Sequence, residues 1–170
     1  HRPGRHHWPD GWFAGLDQQG KVHLWGPSVN RRVPIQQFDT SSHSNLVEVG
    51  MWEEGIVALA GDGRIVQPKA QPFGDLSKVR AKSITIYRGE LLTLSSTGQL
   101  GYYPNQTTEV LTRPAKLPEG YEELRFASIT NGASSILLLE ESGDIYLPRG
   151  PKSPIVKCAS IQPMPVSIAG

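Results

Sequence analysis

Trp12-Phe-Ala-Gly-Leu-Asp-Gln-Gln-Gly-Lys-Val-His-Leu-Trp-Gly26 decides the fold. It reads as two short strands around a polar turn that closes on a glycine. The same spacing recurs: a leucine, a glycine four residues on, then a branched aliphatic two residues later. The copies are Leu16/Gly20/Val22, Leu59/Gly63/Ile65, Leu94/Gly98/Leu100 and Leu139/Gly143/Ile145. The apolar runs before the turns, such as Ile56-Val-Ala-Leu59 and Leu91-Leu-Thr-Leu94, are too short for helices and suit strands buried on both faces. The segments after the turns alternate, as in Lys21-Val-His-Leu-Trp25 and Asp144-Ile-Tyr-Leu147, so one strand face is expected to be wetter. Gly20, Gly63, Gly98 and Gly143 are therefore structural turn residues, each expected at positive φ as the bulge of a hairpin loop.

Each unit has a leading strand before its apolar run. The plainest is the β-branched Ser83-Ile-Thr-Ile-Tyr87, turned by Arg88-Gly89; Asn131-Gly132 is another tight-turn pair. Residues 1–11 form an irregular Pro/Gly arm, and units follow near 12–46, 47–78, 79–120, 121–154 and, in part, 155–170. Tyr121–Ile129 is expected to lead the fourth unit and Ile155–Ile161 the fifth. The glycines lie about 40 residues apart, and uneven spacing puts the insertions in the connections. Three or four short strands per unit at that period give an all-β fold, a β-propeller of about four to five small antiparallel sheets. No helical periodicity runs through the repeats.

The 170 residues suit one domain or a piece of a larger one, and 18 Gly with 14 Pro fit a turn-rich β protein. The chain opens at His1 without a methionine, which reads as trimmed or excised. A net charge of +1 gives no pull toward nucleic acid or acidic lipid. No apolar stretch approaches the roughly 18–20 residues of a membrane helix. Cys158 is the single cysteine; it allows no internal disulfide and favours a reducing compartment, cytoplasmic or nuclear. His1, His6 and His7 lack the spacing of a metal site, and Glu53 and Glu54 are adjacent rather than opposed. The Asn105-Gln-Thr107 sequon is read as unused. There is no serine elbow, zinc-protease motif, phosphate loop or redox cysteine pair. No catalytic residue, cofactor or metal is expected.

Ala58-Leu59-x3-Gly63-Arg-Ile-Val, the stretch Leu16 to Trp25-Gly26, and Gly98-Gln-Leu-Gly101 resemble the regulator of chromosome condensation 1 repeat family. That family's pattern is an apolar strand, a polar turn ending in Gly, a strand and Trp-Gly. The chain departs from it: Trp-Gly occurs at Trp25-Gly26 only, and the Gly-x-x-His that the family usually carries before the apolar strand is missing at Met51–Glu54, Tyr87–Gly89 and Asn131–Ser134. The resemblance implies a ring, usually of seven blades, so this chain supplies part of one. The alternative is a smaller closed ring in which Ile155–Ile161 completes the blade begun at Trp12. It also implies a non-catalytic interaction platform: a scaffold, a substrate-recruiting adaptor such as those of ubiquitin ligases, or a regulator of a small GTPase. The expected partner is another protein on a loop-lined face. No membrane, nucleic acid or small-molecule ligand is expected. Loop aromatics and arginines, the residue types of binding hot spots, make Trp52, Arg31, Arg32, Tyr103 and Arg149 the candidate contacts. The alternative function is a glycan-binding propeller lectin. It needs a pocket residue recurring in register, whereas the recurring residues are turn glycines and strand aliphatics.

Overall fold

Each hairpin closes in the same way. The N–H of Gly20, Gly63, Gly98 and Gly143 donates to the carbonyl three residues back, at 2.9–3.0 Å. The glycines take φ of 74°, 84°, 81° and 94°, the left-handed region that the spacing requires. In three hairpins the residue opening the turn also donates to the residue after the glycine: Asp17 to Lys21, Ala60 to Arg64 and Ser95 to Gln99. This is the expected turn with a glycine bulge. Side chains add to it. The Asp17 carboxylate accepts the N–H groups of Gln19 and Lys21, and the Ser95 hydroxyl accepts that of Gln99.

The computed structural model describes residues 13–25, 45–52, 55–105, 114–131 and 135–160. The arm 1–11, Arg31, Arg32, His43, Glu53 and Glu54 lie outside the described residues. Twelve strands are described: β1 (Phe13–Leu16), β2 (Val22–Trp25), β3 (Leu46–Trp52), β4 (Gly55–Ala60), β5 (Ile65–Val66), β6 (Ser83–Tyr87), β7 (Glu90–Leu94), β8 (Leu100–Tyr103), β9 (Phe126–Asn131), β10 (Ile136–Glu140), β11 (Asp144–Tyr146) and β12 (Lys157–Ser160). They form four antiparallel sheets in chain order: β1-β2, β3-β4-β5, β6-β7-β8 and β9-β10-β11-β12. Neighbouring sheets stack, with β1 against β3, β3 against β6 and β6 against β9. The fold is all-β and propeller-like, a row of small sheets making part of a ring.

The core lies between the sheets. Ile56, Ala58 and Ala60 of β4 join Leu16 and Val22 of the first sheet. Val57 and Leu59, the alternate residues of the same strand, meet Ile84, Ile86 and Leu91 of the third. Leu92 and Leu94 of β7 turn the other way, onto Phe126, Ile136 and Leu138 of the fourth. A middle sheet is thus apolar on both faces, which is why its second strand reads as a continuous hydrophobic run. The turn glycines lock the stack. A side chain on Gly20 would sit 2.8 Å from the Leu46 nitrogen, and one on Gly63 2.9 Å from the Ala81 carbonyl oxygen. The Gly63 and Gly98 carbonyls accept the N–H groups of Ala81 and Phe126, at 2.9 and 2.8 Å.

Two strand assignments differ from the sequence reading. Tyr121–Glu123 form turns, and the fourth leading strand begins at Phe126. The strand expected to lead a fifth unit, or to complete the blade begun at Trp12, is instead the fourth strand of the last sheet, where β12 pairs with β11. Its polar groups explain this. Lys157 Nζ and Ser160 Oγ each lie 2.7 Å from the Asp144 carboxylate. All four β12 residues are exposed, as on an outer edge, whereas leading strands bury residues such as Leu46, Ile84 and Phe126.

Candidate interaction surface

The meander gives the stack two unlike ends. At one end lie the four glycine turns, near-identical in backbone. At the other, among the described residues, lie the Arg88-Gly89 link and the loops Pro68–Gly74 and Pro148–Pro154, which differ in length and sequence; the connections then run back to the turn end, where Ala81 and Phe126 meet Gly63 and Gly98. Chemical individuality therefore sits at this second, loop end.

Buried and half-buried side chains pin these loops. The Gln67 amide spans the Pro68–Gly74 loop, donating to the Gly74 carbonyl at 2.7 Å and accepting from the Phe73 N–H at 3.3 Å. Tyr87 donates its hydroxyl to the Arg149 carbonyl at 2.6 Å, and Tyr121 to the Ser153 carbonyl at 3.0 Å. The loop running from Pro148 to Pro154 is thereby fastened at two points. Its first residue accepts from the Ile136 N–H that opens β10, at 3.1 Å.

The leading strands carry a second arrangement. Glu48 of β3 reaches across to β6, where its carboxylate accepts from the Ile84 N–H at 2.7 Å and the Ser83 hydroxyl at 3.1 Å. From the other side, Asn131 of β9 donates to the Ile86 carbonyl at 2.7 Å and accepts from the Thr85 hydroxyl at 3.1 Å. The edge of β6 not paired to β7 is thus covered by side chains of both neighbouring sheets, which blocks strand addition there. Beside these contacts is a shallow cleft of about 390 Å³, lined by Val47, Glu48, Ser83, Thr85 and Thr130 among others. Its carboxylate is already engaged with β6.

Trp52 and Tyr103 are packing residues. Trp52 is 6% exposed and meets Phe73 edge-on, with ring centroids 5.0 Å apart; Tyr103 is 4% exposed. Neither ring presents a face to solvent. Arg149 is exposed on the loop end. The tyrosine-pinned loops were not visible as a site in the sequence. The nearest signal is the recurrence of tyrosine at strand ends, Tyr87, Tyr103 and Tyr146, and in a connection, Tyr121.

Two predictions arise here. The buried Trp52 Nε1 has no hydrogen-bond partner among the described residues, and an unsatisfied buried donor weakens a fold. Trp52→Phe is therefore expected to change unfolding free energy by less than about 1 kcal/mol, and Trp52→Ala to lower it by roughly 3–5 kcal/mol. Denaturant titration of both variants checks this. The second concerns alkali. Burial raises the hydroxyl pKa of Tyr102, Tyr103 and Tyr121 above the ordinary 10.0, that of Tyr121 to about 12. At Tyr102 the hydrogen bond to Glu90 adds to the effect of burial. The folded state holds these protons when the unfolded chain has lost them. Their contribution to stability is full below pH 10 and falls as pH climbs from 10 toward 12. The denaturant midpoint should drop between about pH 9 and about pH 11, and Tyr121→Phe should make the drop shallower.

No family model matches the sequence, and no curated protein matches it. Among solved structures, the crystal structure of human WBSCR16 is similar, with a TM-score of 0.55 at 12% identity. The match covers 91% of this chain and 51% of that one, so the chain spans about half the length of the structure it matches. At that identity the likeness concerns the fold.

Proposed function

We propose that this chain is a non-catalytic protein-interaction platform whose loop end receives another protein. The observation that carries the reading is the contrast between the two ends. Four like turns recur at one end, beside the last residues of the connections, while among the described residues unlike loops pinned by Gln67, Tyr87 and Tyr121 lie at the other. A repeated scaffold that holds non-repeated loops in fixed positions suits partner recognition. The resemblance of the hairpins to the regulator of chromosome condensation 1 repeat supports the same role. It favours a scaffold or substrate-recruiting adaptor, or a regulator of a small GTPase, working in the cytoplasm or nucleus.

Photo-cross-linking tests this. A photoreactive amino acid is placed at exposed Arg149 or Pro154 on the loop end, or at exposed Asp62 on the turn end. Protein adducts should form from the loop end and be sparse from the turn end. Equal adducts at both ends, or none, would overturn the assignment. Glycan-array binding without protein adducts would favour the lectin alternative.

A further inference from the structure

We infer that Arg88, Arg149 and Lys152 form a rim on the loop end that docks an acidic peptide segment. The inference rests on the reading of that end as an interaction surface and names the chemistry of the partner. The three cations come from two segments that converge on buried tyrosines. Arg88 and Gly89 are the central residues of the two-residue turn joining β6 to β7, with Tyr87 paired to Glu90. Both have positive φ, 52° and 78°. Such a turn ordinarily places Asn, Asp or Gly first, because a side chain there is strained. An arginine at that position is an outlier of the kind that function retains.

The strain displays a held charge. The Arg88 guanidinium carbon lies 5.4 Å from the centroid of the Tyr87 ring. The hydroxyl of the same tyrosine fixes the Arg149 carbonyl at 2.6 Å. A side chain built on Gly150 would lie 3.4 Å from that ring, so the loop rests on Tyr87. Two residues further on, Lys152 Nζ stands 5.9 Å from the Tyr102 ring centroid. Arg88, Arg149 and Lys152 are all exposed, and no salt bridge among the described residues uses any of them. The carboxylate on these two segments is Glu90, which accepts the Tyr102 hydroxyl at 2.7 Å. Cations whose backbone or ring contacts are already fixed lose little freedom when a carboxylate arrives. Arginine adds a fork suited to carboxylate oxygens. Three charges on short loops of a chain with net charge +1 match a short acidic segment. They do not make the long basic stripe that follows a nucleic-acid backbone.

The test is fluorescence polarisation of the whole chain with a labelled Glu/Asp-rich peptide of about a dozen residues. A Lys-rich peptide and a single-stranded oligonucleotide of matched charge serve as comparisons. The acidic peptide should bind, weaken as salt rises, and bind better than either comparison. Arg149→Gln and Lys152→Gln should each weaken binding roughly 2- to 5-fold. The triple variant R88N/R149Q/K152Q should weaken it about tenfold or more. Asparagine accepts the turn conformation at position 88, so the triple variant keeps the fold, which its melting temperature verifies. No binding, binding unchanged in the triple variant, or equal binding of the oligonucleotide would each overturn the inference. If the peptide fails to bind while loop-end cross-links persist, the acidic chemistry is wrong and the platform reading stands. If the cross-links are missing too, both fall.

Discussion

Gly63→Ala is expected to lower the unfolding free energy by roughly 2–4 kcal/mol, and Gly89→Ala by only about 1–2 kcal/mol. Both glycines have positive φ, 84° and 78°, so both variants incur the cost of a left-handed alanine. The surroundings separate them. The new methyl at position 89 meets nothing within 4 Å. The one at position 63 would lie 2.9 Å from the Ala81 carbonyl oxygen, a backbone atom that cannot rotate away. Ala81 also donates its N–H to the Gly63 carbonyl at 2.9 Å. Pushing the two backbones apart strains that bond and shifts the segment leading into β6 away from the second sheet. For a domain of this size the difference amounts to several degrees in melting temperature. Equal losses at the two positions would show that φ alone makes these glycines necessary.

The hairpins were legible because their requirement is local. A turn that needs positive φ names glycine at one position, and buried strands on either side name aliphatics at fixed distances from it. The second purpose of the same glycines was not legible. Gly20, Gly63 and Gly98 also let the chain pass close to Leu46, Ala81 and Phe126, residues far along the sequence. The Glu48 contact to Ile84 was hidden for the same reason, since β-branched residues mark a strand but not what covers its open edge. Tyr102 and Tyr103 show another limit. A period-two strand predicts one wet face, yet β8 lies between two neighbours, with Tyr102 in one intersheet core and Tyr103 in the other. An aromatic near a loop thus reads as a contact residue until the neighbouring sheets are in place. Arg88 was legible only as half of a turn. Its value as a held charge depends on Tyr87 and on a loop some 60 residues away.

The repeat supplies its own control for the core. Val57, Leu92 and Leu137 occupy the same position before the turn glycine in three successive units. Val57 and Leu92 are fully buried, and Leu137 is 36% exposed. Leu92→Ala is therefore expected to cost roughly 2–5 kcal/mol, from lost apolar burial and the cavity left against Phe126, Ile136 and Leu138. Leu137→Ala, the same change at the same repeat position, should cost about 1 kcal/mol or less, because water already reaches the side chain and no closed cavity forms. The difference comes from the neighbour and not from strand propensity, which the two sites share. Leu92 points at a fourth sheet that buries it. Leu137 points away from the third sheet, from the side of β10 opposite Ile136 and Leu138. Denaturant unfolding of both variants at one pH measures the contrast directly. If Leu137→Ala proves as costly as Leu92→Ala, its outward face is covered in solution, and the interface that joins the sheets continues past the fourth.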